Sequence, residues 1–363
     1  MDVNDRVQKV IDGIVSRGNE RALQVAAYWK GKLVVDTWAG DIDATSGKKI
    51  DGDTLFPVFS TTKGIAATAI HILAERGIIS YDGPIAQYWP EFGCNGKEKI
   101  TLRHVLSHTA ALPHMPDCKR PEELSDWDHM CRLIAELTPL WAPGTKTQYH
   151  AITYSWLLGE TARRADGRDF GTIIREEICT PLGLEKSLFV GLPESEDDRV
   201  AILEANPNPP PPPDPPPPPD PVAARAIPPL VCPLEFWMNK KFARRGCIAA
   251  SNGIMTARAI AKHYAALIGD VDGVRLIPES RLKKALETPN TGEPENVVRG
   301  LGYSVWGAKG GFGHGGAGGS TGSADRRAQL TIGMAKNRMG TGAGESRTAG
   351  EQIVSEIRAA LGL

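Results

Sequence analysis

A serine hydroxyl becomes a useful nucleophile only when a base within hydrogen-bond reach takes its proton. Two kinds of serine signature occur in this chain. The first is Gly-x-Ser-x-Gly, at Gly318-Gly319-Ser320-Thr321-Gly322. As a nucleophile elbow it needs a strand before it and a helix after it. Here glycines precede it, and the polar run Ser323-Ala324-Asp325-Arg326-Arg327 leads on to a strand pattern. A chance match is the expected reading of Ser320. The second is Ser-x-x-Lys. Residues three apart on a helix share a face, and burial depresses a lysine toward neutrality, which makes it a base. Ser46…Lys49 lies in a polar turn, and Ser280…Lys283 opens a helix after Pro278, where the serine reads as a cap. Ser60-Thr61-Thr62-Lys63 differs. It follows the apolar Phe56-Pro57-Val58-Phe59 and begins the apolar Gly64-Ile65-Ala66-Ala67-Thr68-Ala69-Ile70. That places a buried lysine three residues after a serine, beside the free N–H groups and positive dipole end of a helix N-terminus. The same N–H groups are suited to an oxyanion. The chemistry this arrangement would supply is nucleophilic catalysis by the serine, and the alternative is a capping serine with an exposed lysine.

The elements that must carry these residues alternate along the chain. Residues 3–16 have Val3, Val7, Val10/Ile11 and Ile14 at helical spacing, and residues 60–76 place Ile65, Ala69, Ile72 and Leu73 on one face, with Gly77 as the stop. Residues 152–165, 256–268 and 348–361 also read as helices. Arg21 to Trp38 reads as two strands around Lys30-Gly31-Lys32, and Gln329 to Lys336 as another strand. Strands at both chain ends with helices between predict a sheet closed by the termini. Two landmarks interrupt the pattern. Twelve of the 28 prolines fall between Pro207 and Pro221, a run that must be polyproline II. It reads as a spacer loop, with docking to an SH3- or WW-type partner as the alternative. Nine glycines lie between Gly307 and Gly322, implying a flexible loop or close approach of the backbone to a ligand.

Composition narrows the class. The 363 residues suggest about two domains or one large one. Charges balance at a net -1, which argues against nucleic acid as a partner. No apolar run approaches the ~18 residues needed to span a membrane, and Met1-Asp2-Val3-Asn4-Asp5 lacks a secretory pattern. A cytoplasmic enzyme is expected. The cysteines at 94, 118, 131, 179, 232 and 247 contain no Cys-x-x-Cys, and no His-Glu-x-x-His occurs, so free thiols, no metal and no cofactor are expected.

Beyond Ser60-Thr61-Thr62-Lys63, several motifs follow in order: Leu106-Ser107-His108-Thr109, Pro143-Gly144 leading to Tyr149, Pro181-Leu182-Gly183-Leu184, and His314-Gly315-Gly316. Together they resemble the class C β-lactamase-like serine hydrolases, which include penicillin-binding proteins, DD-peptidases, family VIII carboxylesterases and fungal acyl transesterases. Val34-Val35-Asp36-Thr37-Trp38-Ala39-Gly40 and Tyr88-Trp89-Pro90-Glu91-Phe92 are most similar to the family VIII branch. The resemblance implies an α/β (α+β) β-lactamase/transpeptidase-like fold. An antiparallel sheet flanked by helices would come from residues 1–59 and 255–363. An all-helical region would span 60–254, with a proline-rich insert at 207–221.

The resemblance also implies roles. Ser60 would form the acyl-enzyme, Lys63 would help take its proton, and Tyr149 would act as general base and then protonate the leaving group. The backbone N–H groups of Ser60 and Ala317 would form the oxyanion hole, while His314, Gly315, Gly316 and His150 would bind substrate. Tyr149-His150-Ala151 lacks the asparagine of the lactamase motif, and His314 stands where lactamases carry lysine. A mostly neutral histidine holds a carboxylate weakly, which favours uncharged esters. The expected function is therefore a serine carboxylesterase acting on short-acyl esters, with an alcohol or amine acceptor as the transferase alternative. A β-lactamase or DD-peptidase and a non-catalytic docking protein are the remaining readings. His104 and His108 read as structural, Asp325 as a solvated charge, and Trp141, Trp156, Trp237 and Trp306 as core residues or walls of an acyl pocket.

Overall fold

The computed structural model describes residues 2–209, 220–288, 298–306, 310–340 and 345–363. Most of the proline run (210–219) and residues 307–309 of the glycine stretch lie outside these. Strands β1 (Ala22–Trp29) and β2 (Lys32–Gly40) form the expected hairpin, and three short strands follow: β3 (Phe56–Pro57), β4 (Leu188–Val190) and β5 (Gly253–Met255). The C-terminal part supplies β6 (Val298–Arg299), β7 (Ser304–Trp306), β8 (Gly311–Gly315), β9 (Thr321–Asp325) and β10 (Leu330–Lys336). Seven strands pair antiparallel in the order β2-β1-β10-β9-β8-β7-β6, so both chain ends meet where β1 runs against β10 from Leu23↔Lys336 to Trp29↔Leu330.

The centre of the sheet is covered on both faces, which is why β10 is buried throughout and β1 nearly so. Leu23, Val25 and Ala27 meet Val7, Ile11 and Ile14 of α1 (Val3–Ser16), along with Ile353 and Ile357 of the C-terminal helix Glu345–Leu361. Ala22, Ala26 and Tyr28 face the larger core, which contains the helix Ala257–Ile268. Between the ends the chain is mainly helical. It is not all-helical, because β4 and β3 both pair with β5 in a small second sheet. Those strands are too short for sequence periodicity to reveal them.

Helix α2 (Thr62–Glu75) lies at the heart of the molecule. The expected single apolar face is exceeded: every residue from Thr62 to Ala74 is buried. Such a helix must satisfy its polar side chains internally. The Thr68 hydroxyl bonds the Gly64 carbonyl (2.9 Å), the His263 Nε2 (2.8 Å) and the Tyr303 hydroxyl (2.7 Å). His71 is held between the Tyr81 hydroxyl and the Leu301 carbonyl. Near the third Ser-x-x-Lys, the helix Glu279–Ala285 starts at Pro278 with no side-chain cap, so Ser280 is not the cap expected of it. Pro278 occupies the N-cap position itself and has no side-chain oxygen to offer the first-turn N–H groups.

Candidate active site

The turn that presents Ser60 is built under strain. Phe59 adopts φ +48°, a conformation costly for a bulky residue, and a short turn at Phe59–Thr61 then feeds α2. Both of its flanks are fastened. Val58 N–H donates to the Gly253 carbonyl and Gly253 N–H to the Thr62 hydroxyl (both 2.9 Å). On the other side the Thr61 hydroxyl donates to the Ser320 carbonyl at 2.9 Å. Gly316 N–H reaches that same carbonyl (2.8 Å), which ties the loop carrying Ala317 to the serine turn. The approach is close: a Cβ on Gly316 would stand 2.0 Å from the Val58 carbonyl oxygen. At this position glycine admits the protein's own backbone, where the sequence suggested a ligand. Ser60 is half-buried and Ala317 exposed. Among the described residues, no carbonyl of another element accepts either of their N–H groups.

Lys63 sits three residues after Ser60 and is fully buried. Its Nζ is 2.7 Å from the Ala151 carbonyl, 2.8 Å from the Ala250 carbonyl and 3.3 Å from Ser60 Oγ. An ammonium has three N–H donors; a neutral amine has two, plus a lone pair. Two carbonyls and a hydroxyl accommodate the three donors of an ammonium, and they equally accommodate a neutral amine that gives its N–H groups to the carbonyls and turns its lone pair to the serine. Burial pushes Lys63 well below its usual value, and the positive charge of Arg299 adds to the lowering.

Tyr149 completes the group. Lys63 Nζ lies 4.8 Å from its ring centroid and the Arg299 guanidinium 5.0 Å. Burial pushes the phenol up to about 12, against the opposing hydrogen bond with Ser60 and the charge of Arg299. A phenol at that value carries its proton at rest. His314 is buried, and its Nδ1 donates to the Gly315 carbonyl at 2.8 Å. Its Nε2 has no partner among the described residues. Burial, with help from Lys63, drives its pKa down to about 3, so the imidazole is neutral. Gly315 and Gly316 follow it at the end of β8.

Several expectations change. His150 is fully buried, with Nδ1 donating to the Gln148 carbonyl (2.8 Å) and Nε2 accepting Leu112 N–H (3.2 Å). Both ring nitrogens are engaged within the protein, which removes it from substrate binding. Ser320 is buried, and its hydroxyl accepts Lys336 N–H at 3.2 Å; it stitches strands together. Asp325 accepts the N–H groups of Arg327 and Ala328 and pairs with Arg358. Trp156 and Trp237 join the core, Trp306 is exposed, and Trp141 packs under Lys146. Sequence reading missed Arg299 and the two carbonyls at Ala151 and Ala250. Backbone oxygens leave no residue-type signal. Among the described residues no cluster of His, Cys, Asp or Glu is placed to hold a metal, and no helix is long and apolar enough to cross a membrane.

Residues 7–354 match the protein family described as Beta-lactamase. A relative named Esterase/beta-lactamase LipL, from Mycobacterium tuberculosis, is 32% identical over 337 residues, covering 87% of this chain and 76% of that protein. Among solved structures, a family VIII carboxylesterase is similar with a TM-score of 0.87 and 29% identity, covering 99% of this chain and 98% of the other. A penicillin-binding protein homologue from Caulobacter crescentus gives 0.85 and 34%, covering 98% of both chains.

Proposed function

The chain belongs to the beta-lactamase family and is a serine hydrolase of that family; on that premise we propose that it hydrolyses short-acyl esters through an acyl-enzyme on Ser60. The observation that carries this reading is the environment of Lys63: a buried amine with a lowered pKa stands 3.3 Å from the Ser60 hydroxyl, its other partners being two neutral carbonyls.

In the proposed cycle Ser60 Oγ attacks the ester carbon while its proton passes to Lys63 Nζ. The charge that develops on the carbonyl oxygen is met by the N–H groups of Ser60 and Ala317, an effect typically worth ~3–4 kcal/mol per donor. As the ester C–O bond breaks, the Tyr149 hydroxyl gives its proton to the departing alkoxide and regains one from Lys63. Water then attacks the acyl carbon, its proton follows the same two groups in reverse order, and Ser60 is restored. The natural partner is a small-molecule ester.

The relatives named for esterase activity support ester hydrolysis. The neutral His314 supports a preference for esters over penicillins, since it brings no charge to a substrate carboxylate; Arg299 is the cation that remains beside Tyr149. Incubation with p-nitrophenyl butyrate, rapid acid quench and peptide mass spectrometry test the proposal. A butyryl mass on the Ser60 peptide, absent in Ser60→Ala, is expected. A label on Ser320, or full turnover by Ser60→Ala, overturns it.

A further inference from the structure

Tyr149 is held in an unusual way. It is the apex of a three-residue loop, and both neighbouring peptides are bonded to one residue from a distant segment. Gln148 N–H donates to the His108 carbonyl at 3.0 Å, and His150 N–H donates to His108 Nδ1 at 3.1 Å. The His108 ring then packs on the phenol, with centroids 4.7 Å apart and planes at 49°. The Tyr154 ring centroid lies 5.2 Å from that of His108. His108 itself is buried and sits at φ +60°. It follows α3 (Leu102–Leu106), whose N-terminus is fixed by a reciprocal Thr101–His104 cap. The loop is closed from its own side as well, because His150 Nδ1 donates to the Gln148 carbonyl and its Nε2 accepts Leu112 N–H. Residues 108–112 thus form a cradle for residues 148–150.

We propose that His108 is a positioning residue for Tyr149: one acceptor nitrogen, one carbonyl and one ring face set the phenol against Ser60 and Lys63. The inference rests on the assignment of Tyr149 above. A core histidine that merely fills space would touch the ring; it has no reason to bond both flanking peptides.

A double-mutant cycle with p-nitrophenyl butyrate separates the two readings. His108→Ala, which loses the nitrogen and the ring, is expected to lower kcat about 100-fold, as displacement of a reacting group by ~1 Å does, with KM within about 3-fold. His108→Asn keeps an acceptor near the Nδ1 position and tolerates a positive φ. It is expected to recover at least about 10-fold of that loss. In the Tyr149→Phe background the His108→Ala loss should shrink to less than about 3-fold, because the phenol it positions is gone. Thermal unfolding of each variant checks that folded protein is compared. If the alanine variant does not fold, His108→Asn carries the same cycle, with a smaller loss that vanishes beside Tyr149→Phe. Losses that multiply in the double variant, or a folded His108→Asn no better than alanine, overturn the inference and leave the role of Tyr149 standing. Wild-type turnover by Tyr149→Phe would remove both.

Discussion

Two buried amines, Lys63 and Lys336, are put to different uses. Ser320 accepts the Thr61 hydroxyl on its carbonyl and Lys336 N–H on its hydroxyl, so one residue links the serine turn to the end of β10. Lys63 is fully buried and Lys336 nearly so. Burial lowers both pKa values. At Lys336 the carboxylate of Glu20, itself 2% exposed, opposes that lowering through an ion pair. At Lys63 no carboxylate opposes it among the described residues; the further influence is Arg299, which adds to it. The same residue type at the same depth is a structural cation when a carboxylate meets it. When only carbonyls and a hydroxyl meet it, it is a candidate base.

The comparison can be broken at either amine. Lys63→Met should cost about 1,000-fold or more in kcat/KM while the protein stays folded, since removing the base leaves only binding and the oxyanion donors. Lys63→Arg should fare no better, because a guanidinium does not shed its proton. Ester hydrolysis and circular dichroism check both. Lys336→Met should do the opposite. Turnover per folded molecule should stay within about 3-fold, while urea unfolding shows a loss of about 3–5 kcal/mol from breaking the buried pair with Glu20. A Lys336→Met protein of normal stability would show that the Lys336–Glu20 pair does not hold the fold together.

The pH dependence sharpens the same point. The base form of Lys63 is the deprotonated one, so kcat/KM should fall about tenfold per pH unit below its lowered pKa and level off above it. Tyr149 near 12 and His314 near 3 place no further inflection between. A basic limb near pH 10 in the pH–rate profile would contradict the neutral phenol. The smallest effect belongs to Ser320→Ala. Removing the acceptor for Lys336 N–H should lower stability by about 1 kcal/mol, with hydrolysis within about 3-fold by steady-state assay.

Much of this was legible in the chain. Residues 3–16, 21–38 and 329–336 form the expected helix, hairpin and strand, because their apolar spacing states which face is buried. The family resemblance, drawn from ordered motifs, is borne out by the match over residues 7–354. Less legible were the small second sheet, whose strands have two or three residues, and the burial of α2 on every side. Both depend on what packs against them.

Within the site the division is equally physical. By itself the sequence determined the pairing of Ser60 with Lys63, since a three-residue spacing on a helix start is local geometry. It also marked the glycine-lined strand end at His314-Gly315-Gly316. Only the tertiary structure decided the state of the amine. Its two carbonyl partners stand 88 and 187 residues away, and long-range backbone oxygens have no signature in residue type. The same holds for His150, which reads as a pocket residue until both of its nitrogens are seen bonded inside the fold. A side chain's chemistry is local, but whether it keeps its proton or has a free lone pair is set by the partners that folding brings to it.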